Sequence, residues 1–236
     1  MNDDSLETPG VARAGRALCL SGGGFRAALF HLGAMLRLHA TGRLQGVDVF
    51  SAVSGGSIAA AWLERCFVTT RNDPRETFGE WCARTDFQLA VVEPFRAVAA
   101  RDLRTWPVAA TLAFNWARPS VRVRMLEARL DAVFDALELR DLPAAPAFVF
   151  CATDLTFGAN WEFSRRRCGD FQAGYLRRHG KIRLATAVAA SACGPRSRPR
   201  RNSPASTGSR SGPNSGGKHA EAATAVARRI LPWRRK

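Results

Sequence analysis

LSGGGFRAALFHLG, Leu20–Gly33, and VDVFSAVSGGSIAAAWLERCF, Val47–Phe67, carry one pattern twice. In each, a short apolar run enters a cluster of small residues and leaves it with helical spacing. From Phe25 the apolar residues fall at Phe25, Ala28, Leu29, Leu32 and Leu36, one face of a helix that Gly42 can end. ALCL, Ala17–Leu20, reads as a buried strand before the first turn, and VDVFSAV as a second before SGGS. Strand, glycine turn and helix recurring within about fifty residues predict a parallel sheet joined by crossover helices.

The rest of the chain extends that reading unevenly. Between Thr69 and Pro119 four prolines (Pro74, Pro94, Pro107, Pro119) interrupt segments rich in Trp, Phe and Arg, which predicts a helical insertion or cap over about 69–119. Its aromatics Phe95, Trp106, Phe114 and Trp116 suit either a lipid-facing surface or buried packing. VRVRMLEARLDAVFDAL, residues 121–137, returns to helical spacing. AFVFCATDL (147–155) and NWEFS (160–164) read as strands, the latter with Trp161 and Phe163 on one face, and IRLATAVAASAC (182–193) as a helix of small residues. Residues 1–13 are expected to be a flexible N-terminus and 14–194 one domain.

Composition bounds the function. The chain has 236 residues, 46% of them hydrophobic, enough for a substantial core. Six cysteines form no CxxC pair and no metal-like spacing with the four histidines, so no disulfide framework, metal or cofactor is expected, and a reducing compartment is the simpler reading. The acidic MNDDSLETPG has no signal-peptide character, and TWPVAATLAFNWA is about half a membrane span, so a cytoplasmic protein is expected. Of the net charge of +15, residues 195–236 supply +10, from nine Arg and two Lys against Glu221 alone. That segment opens with PRSRPRRNSPASTGSRSGPNSGGK, which has no large apolar residue, and it is expected to be disordered.

The turns point to acyl-transfer chemistry. A nucleophilic serine on a sharp strand-to-helix turn needs small residues two before and two after it. Ser54 has Ala52 and Gly56, a G-x-S-x-G pattern with alanine in first place. Ser57 has small neighbours but falls inside the helix, and Ser21 lacks the preceding small residue. Gly23 and Gly24 offer backbone N–H groups for the oxyanion of a tetrahedral intermediate. Two plainer alternatives stand beside this: SGGS as an ordinary turn, and GGGFRA as a partial G-x-G-x-x-G phosphate loop. The loop match lacks its last glycine and a Walker lysine, with Asp48 the only acid near the ribose position.

The two glycine turns, in this order and about thirty residues apart, resemble those of the patatin-like phospholipases, and LSGGGFRA is similar to a segment of the cytosolic phospholipases that share that core. ATDL, Ala152–Leu155, adds to the likeness, which runs from about Ala17 to Gly194. The resemblance implies a three-layer α/β sandwich with a mainly parallel central sheet. It implies hydrolysis of lipid or phospholipid esters by a Ser–Asp dyad without metal, with Ser54 as nucleophile, Gly23 and Gly24 as oxyanion hole, and Arg26 holding a substrate phosphate. Guanidinium binds phosphate in bidentate fashion, which fits that role; an arginine that merely pairs with an acid or solvates the turn is the plainer reading. The dyad needs no histidine, so His31 and His39 are expected to be structural.

The chain departs from the family in one respect. The family's aspartate lies in a D-G-G or D-G-A segment beyond the helix resembling ATAVAASAC, whereas here no Asp follows Asp170 and no D-G pair occurs. Asp154 and Asp170 do not match that position. The likeness stops where composition breaks, at Pro195, which predicts a shifted reading frame and a fold without its C-terminal strand and helix. The rival reading is a basic tail tethering the chain peripherally to anionic membrane, with no specific nucleic acid expected. An inactive lipid- or partner-binding relative is the alternative to a hydrolase. Oligomeric state is not legible.

Overall fold

The computed structural model of the chain describes residues 14–100, 119–154 and 157–192. The expectations for the N-terminus, for Trp106, Phe114 and Trp116, and for the basic tail lie outside these residues.

Six strands form one sheet in sequence order: β1 (Ala17–Leu20), β2 (Val49–Val53), β3 (Ala147–Thr153), β4 (Asn160–Phe163), β5 (Cys168–Asp170) and β6 (Gly174–Tyr175). β1, β2 and β3 are parallel, with Leu20 opposite Ala52 and Ala52 opposite Phe150. The α/β architecture predicted from the repeated strand, turn and helix is present. Beyond β3 the sheet continues antiparallel through β4, β5 and β6. The two last strands are too short for an alternating pattern to announce them. They are joined by the buried Asp170, whose Oδ1 accepts from the N–H groups of Gln172 (2.7 Å) and Ala173 (2.5 Å), a side-chain turn and not a catalytic arrangement.

Helix α1 (Gly24–Ala40) follows β1, and α2 (Gly55–Thr70) follows β2. Gly42, at φ +69°, ends α1 as expected: its N–H donates to the His39 carbonyl and that of Arg43 to the Leu38 carbonyl, both 2.9 Å. α2 packs on β1, β2 and β3, and α1 packs against α2. One face of the sheet carries Leu20, Phe50, Ala52, Phe148 and Phe150, all buried. Phe50 stacks on Phe148 at 4.8 Å and meets Phe78 edge-on at 5.7 Å. On the opposite face, residues of the alternate register are more open: Cys19 and Val53 are exposed, and Ser51, Val149 and Cys151 half-buried.

The segment expected to be an insertion or cap contributes, in its described part, to this core. Thr77 caps α3 (Phe78–Arg84) reciprocally with Glu80, a pattern legible as T-x-x-E. A π-helical turn (Gln88–Val92) then leads into α4 (Glu93–Ala100). Trp81, Phe87, Val91 and Phe95 are all buried, and the Trp62 indole N–H donates to the Val91 carbonyl at 2.9 Å. Phe95 therefore packs inward and does not face lipid. Helices α5 (Pro119–Val133) and α6 (Leu184–Ala192) follow, α6 packing against α5, α2 and β3. Among the described residues no helix is long and apolar enough to cross a membrane.

Candidate active site

Ser54 sits between the end of β2 and the first residue of α2 with φ +54° and ψ −114°. A non-glycine residue in that region costs on the order of 1–3 kcal/mol and persists only where its surroundings over-determine it. The sharp turn predicted from A-V-S-G-G is thus present at the serine itself.

The glycines explain how the turn closes. A Cβ on Gly55 would stand 2.1 Å from the Gly24 carbonyl oxygen, and one on Gly56 would stand 2.2 Å from that of Leu20. Gly56 donates its N–H to the Ser21 carbonyl at 3.1 Å, tying the start of α2 to the chain leaving β1. A Cβ on Gly22 would touch the Ser54 Cβ at 3.3 Å and its Oγ at 3.8 Å, so the serine side chain faces the first glycine turn. Ala52, the residue in place of the first glycine of the pattern, is fully buried between Leu20 and Phe150.

Gly23 and Gly24 both have positive φ, +142° and +67°. Gly23 caps α1 without a side-chain bond, and Gly24 is the first residue of that helix. First-turn N–H groups have no partner within their own helix and sit at the positive end of its dipole. The N-termini of α1 and α2 therefore meet beside Ser54. Arg26 lies two residues further along α1, exposed and without an ion pair to any described residue.

The other residues singled out from the sequence have different tasks. His31 is buried with Nε2 2.9 Å from the Ser21 carbonyl, the oxygen that also receives the Gly56 N–H. His39 Nε2 lies 2.8 Å from the Cys82 carbonyl and its ring stacks on Phe87. Ser57 is buried in the first turn of α2. Asp48 accepts the Arg16 N–H at 2.7 Å, at the end of β2 away from the turn. Asp154 follows β3 at the same sheet edge as Ser54; its N–H donates to the Ala159 carbonyl and its own carbonyl accepts from Gly158. Burial pushes the thiols of Cys66 and Cys82 up to about 12 and that of Cys168 to about 11, which leaves those three poor nucleophiles. Among the described residues no three His, Cys, Asp or Glu side chains converge as a metal would require.

One participant was not read from the sequence. Ser191, in α6, reaches the turn with its hydroxyl and receives the Ser54 N–H at 2.8 Å. The only signal for it was a serine in the small-residue run ATAVAASAC, which also carries Thr186.

A family model described as patatin-like phospholipase matches residues 18–195, and the chain belongs to that family. Among solved structures the chain is similar to human GIVD cytosolic phospholipase A2 in complex with methyl gamma-linolenyl fluorophosphonate, at 18% identity and TM-score 0.44, covering 76% of this chain and 29% of that one. A second structure of that protein, with the same inhibitor and terbium chloride, aligns at 19% identity and TM-score 0.47, covering 76% and 30%. The chain thus spans less than a third of the length of that phospholipase. No curated protein sequence matches it.

Proposed function

We propose that the chain is a lipid acyl hydrolase of the patatin-like type whose nucleophile is Ser54. The observation that carries this reading is the strained backbone of Ser54 beside the positive-φ glycines 23 and 24. Attack of the Ser54 Oγ on an ester carbonyl forms a C–O bond and moves the carbonyl π electrons onto oxygen. The N–H groups of Gly23 and Gly24 stabilise that oxyanion, and the dipole of α2 favours negative charge at its N-cap. Arg26 receives the phosphate of a phospholipid headgroup, or any other anionic group beside the ester.

The proton of Ser54 is the weak point. Collapse of the intermediate requires a group to accept it and deliver it to the leaving alcohol, and no aspartate in this chain matches the family's position. Loss of general-base assistance costs roughly 10²–10⁴-fold in rate. The proposal is therefore a serine that gives up its proton to solvent water, reacts with reagents whose leaving group departs without protonation, and turns over natural esters slowly. That absence also favours a second reading, a relative that binds lipid without hydrolysing it.

Labelling with a fluorophosphonate tests the assignment, because fluoride leaves without protonation by the enzyme. The expected result is a single adduct on Ser54 that Ser54→Ala abolishes. Folded protein that binds lipid vesicles but takes no label supports the non-catalytic reading instead.

A further inference from the structure

Ser191 is buried, 5% exposed, and its hydroxyl stands where three chain segments meet. It donates to the Cys151 carbonyl of β3 at 2.7 Å, accepts the Ser54 N–H at 2.8 Å, and lies 2.8 Å from the Ser57 Oγ. A serine hydroxyl has one proton and two lone pairs. With the proton committed to Cys151, the third bond must be donated by Ser57, and the Ser191 oxygen is then saturated.

We infer that Ser191 is a positioning residue for Ser54, holding the backbone of the nucleophile in its strained conformation. The inference rests on the reading of Ser54 as nucleophile. Three facts support it. The clamp acts on the Ser54 amide itself, so it restrains the φ that is at +54°. It ties that amide to the Cys151 carbonyl, and Cys151 is the register partner of Val53, the residue before the serine; the turn is thereby anchored to the strand beside it. Ser57 adds a second attachment in the first turn of α2, so the hydroxyl fixes both sides of the bend.

Removing the hydroxyl leaves the Ser54 N–H and the Ser57 O–H without this partner at a largely buried site. The peptide between Val53 and Ser54 can then relax toward an ordinary helix start, which turns the Oγ away from Gly22 and the N–H groups of Gly23 and Gly24. Displacement of a reacting group by about 1 Å can cost on the order of 10²-fold in rate.

The test uses the full chain with Ser191→Ala and Ser191→Thr, which keeps the hydroxyl, and two readouts. Amide hydrogen exchange at Ser54 reports the clamp directly, and it is expected to speed up by about tenfold or more in Ser191→Ala while the amides of Ala60–Leu63 stay protected. The second-order rate of fluorophosphonate labelling is expected to fall by about 10–100-fold in Ser191→Ala and to recover in Ser191→Thr. Where Ser191→Ala does not fold, Ser191→Cys, of similar volume and weaker hydrogen bonding, is measured on both readouts in its place. Unchanged exchange at Ser54 in a folded variant overturns the inference, as does unchanged labelling. Wild-type chain that takes no label although Ser54 exchange responds to Ser191→Ala refutes the nucleophile assignment, and with it the role of Ser191 in reactivity; the clamp then belongs to the fold alone.

Discussion

Gly55 and Gly24 are the first residues of two consecutive helices, and they pack so closely that a Cβ on Gly55 would lie 2.1 Å from the Gly24 carbonyl oxygen and 2.8 Å from its nitrogen. No side chain can occupy that gap. The closeness brings two helix N-termini together beside one serine, so the electrostatic character of the site is set by backbone.

Gly55→Ala follows from this contact. The added methyl group must push α2 away from the first glycine turn, because both atoms it meets are backbone. Overpacking of this kind costs about 1–3 kcal/mol or more. Chemical denaturation is expected to show destabilisation in that range, together with loss of Ser54 labelling. Alanine at Gly33, where a Cβ would meet nothing within 4 Å, serves as the control and leaves stability within about 0.5 kcal/mol or raises it.

Strain at Ser54 makes the opposite prediction for stability. Glycine adopts φ +54° without steric conflict, so Ser54→Gly removes the penalty of the native serine while deleting its hydroxyl. The expected outcome is a gain of about 1 kcal/mol with complete loss of labelling. A protein that becomes less stable by that change would mean that the serine side chain, and not strain, dominates the local energetics.

Glu64 supplies the pH dependence. It lies fully buried in α2, and neither carboxylate oxygen has a hydrogen-bond partner among the described residues. Burial raises its pKa well above the ordinary carboxylate range, and the nearby charge of Asp141 adds to the shift. The folded chain therefore keeps a proton that the unfolded chain releases near about pH 4.3. Where the native state holds more protons, stability falls as pH rises. The contribution of Glu64 is thus fully present below the unfolded value and diminishes above it. In Glu64→Gln that slope is expected to vanish, so that the variant is more stable than wild type at neutral pH and the difference narrows in acid. Thermal unfolding followed from about pH 4 to pH 8 checks the sign.

Much of the site was legible in local order. The strands at Ala17–Leu20 and Val49–Val53, the helices after them, the cap at Gly42 and the turn at Ser54 all follow from residue type and spacing, because apolar period, glycine content and small neighbours act over a few positions. The T-x-x-E box at Thr77 is equally local, since its capping bonds span three residues. Phe95 marks the limit of such reading: its sequence neighbourhood suits a lipid-facing cap as well as it suits a core, and packing against Trp62 at 5.5 Å decides for the core.

What no local pattern carried is the meeting of distant segments. Ser191 is 137 residues from Ser54, and a serine among alanines looks the same whether its hydroxyl faces solvent, its own helix or a distant turn. Likewise Gly55 and Gly24 each read as turn residues, but only the pairing of β1 beside β2 makes each necessary to the other. Residue chemistry along the chain named the serine and the glycines, since a sharp turn and a bare N–H are short-range requirements. The tertiary fold decided how the serine is held, since hydrogen bonds and close backbone contacts depend on which strands and helices lie side by side.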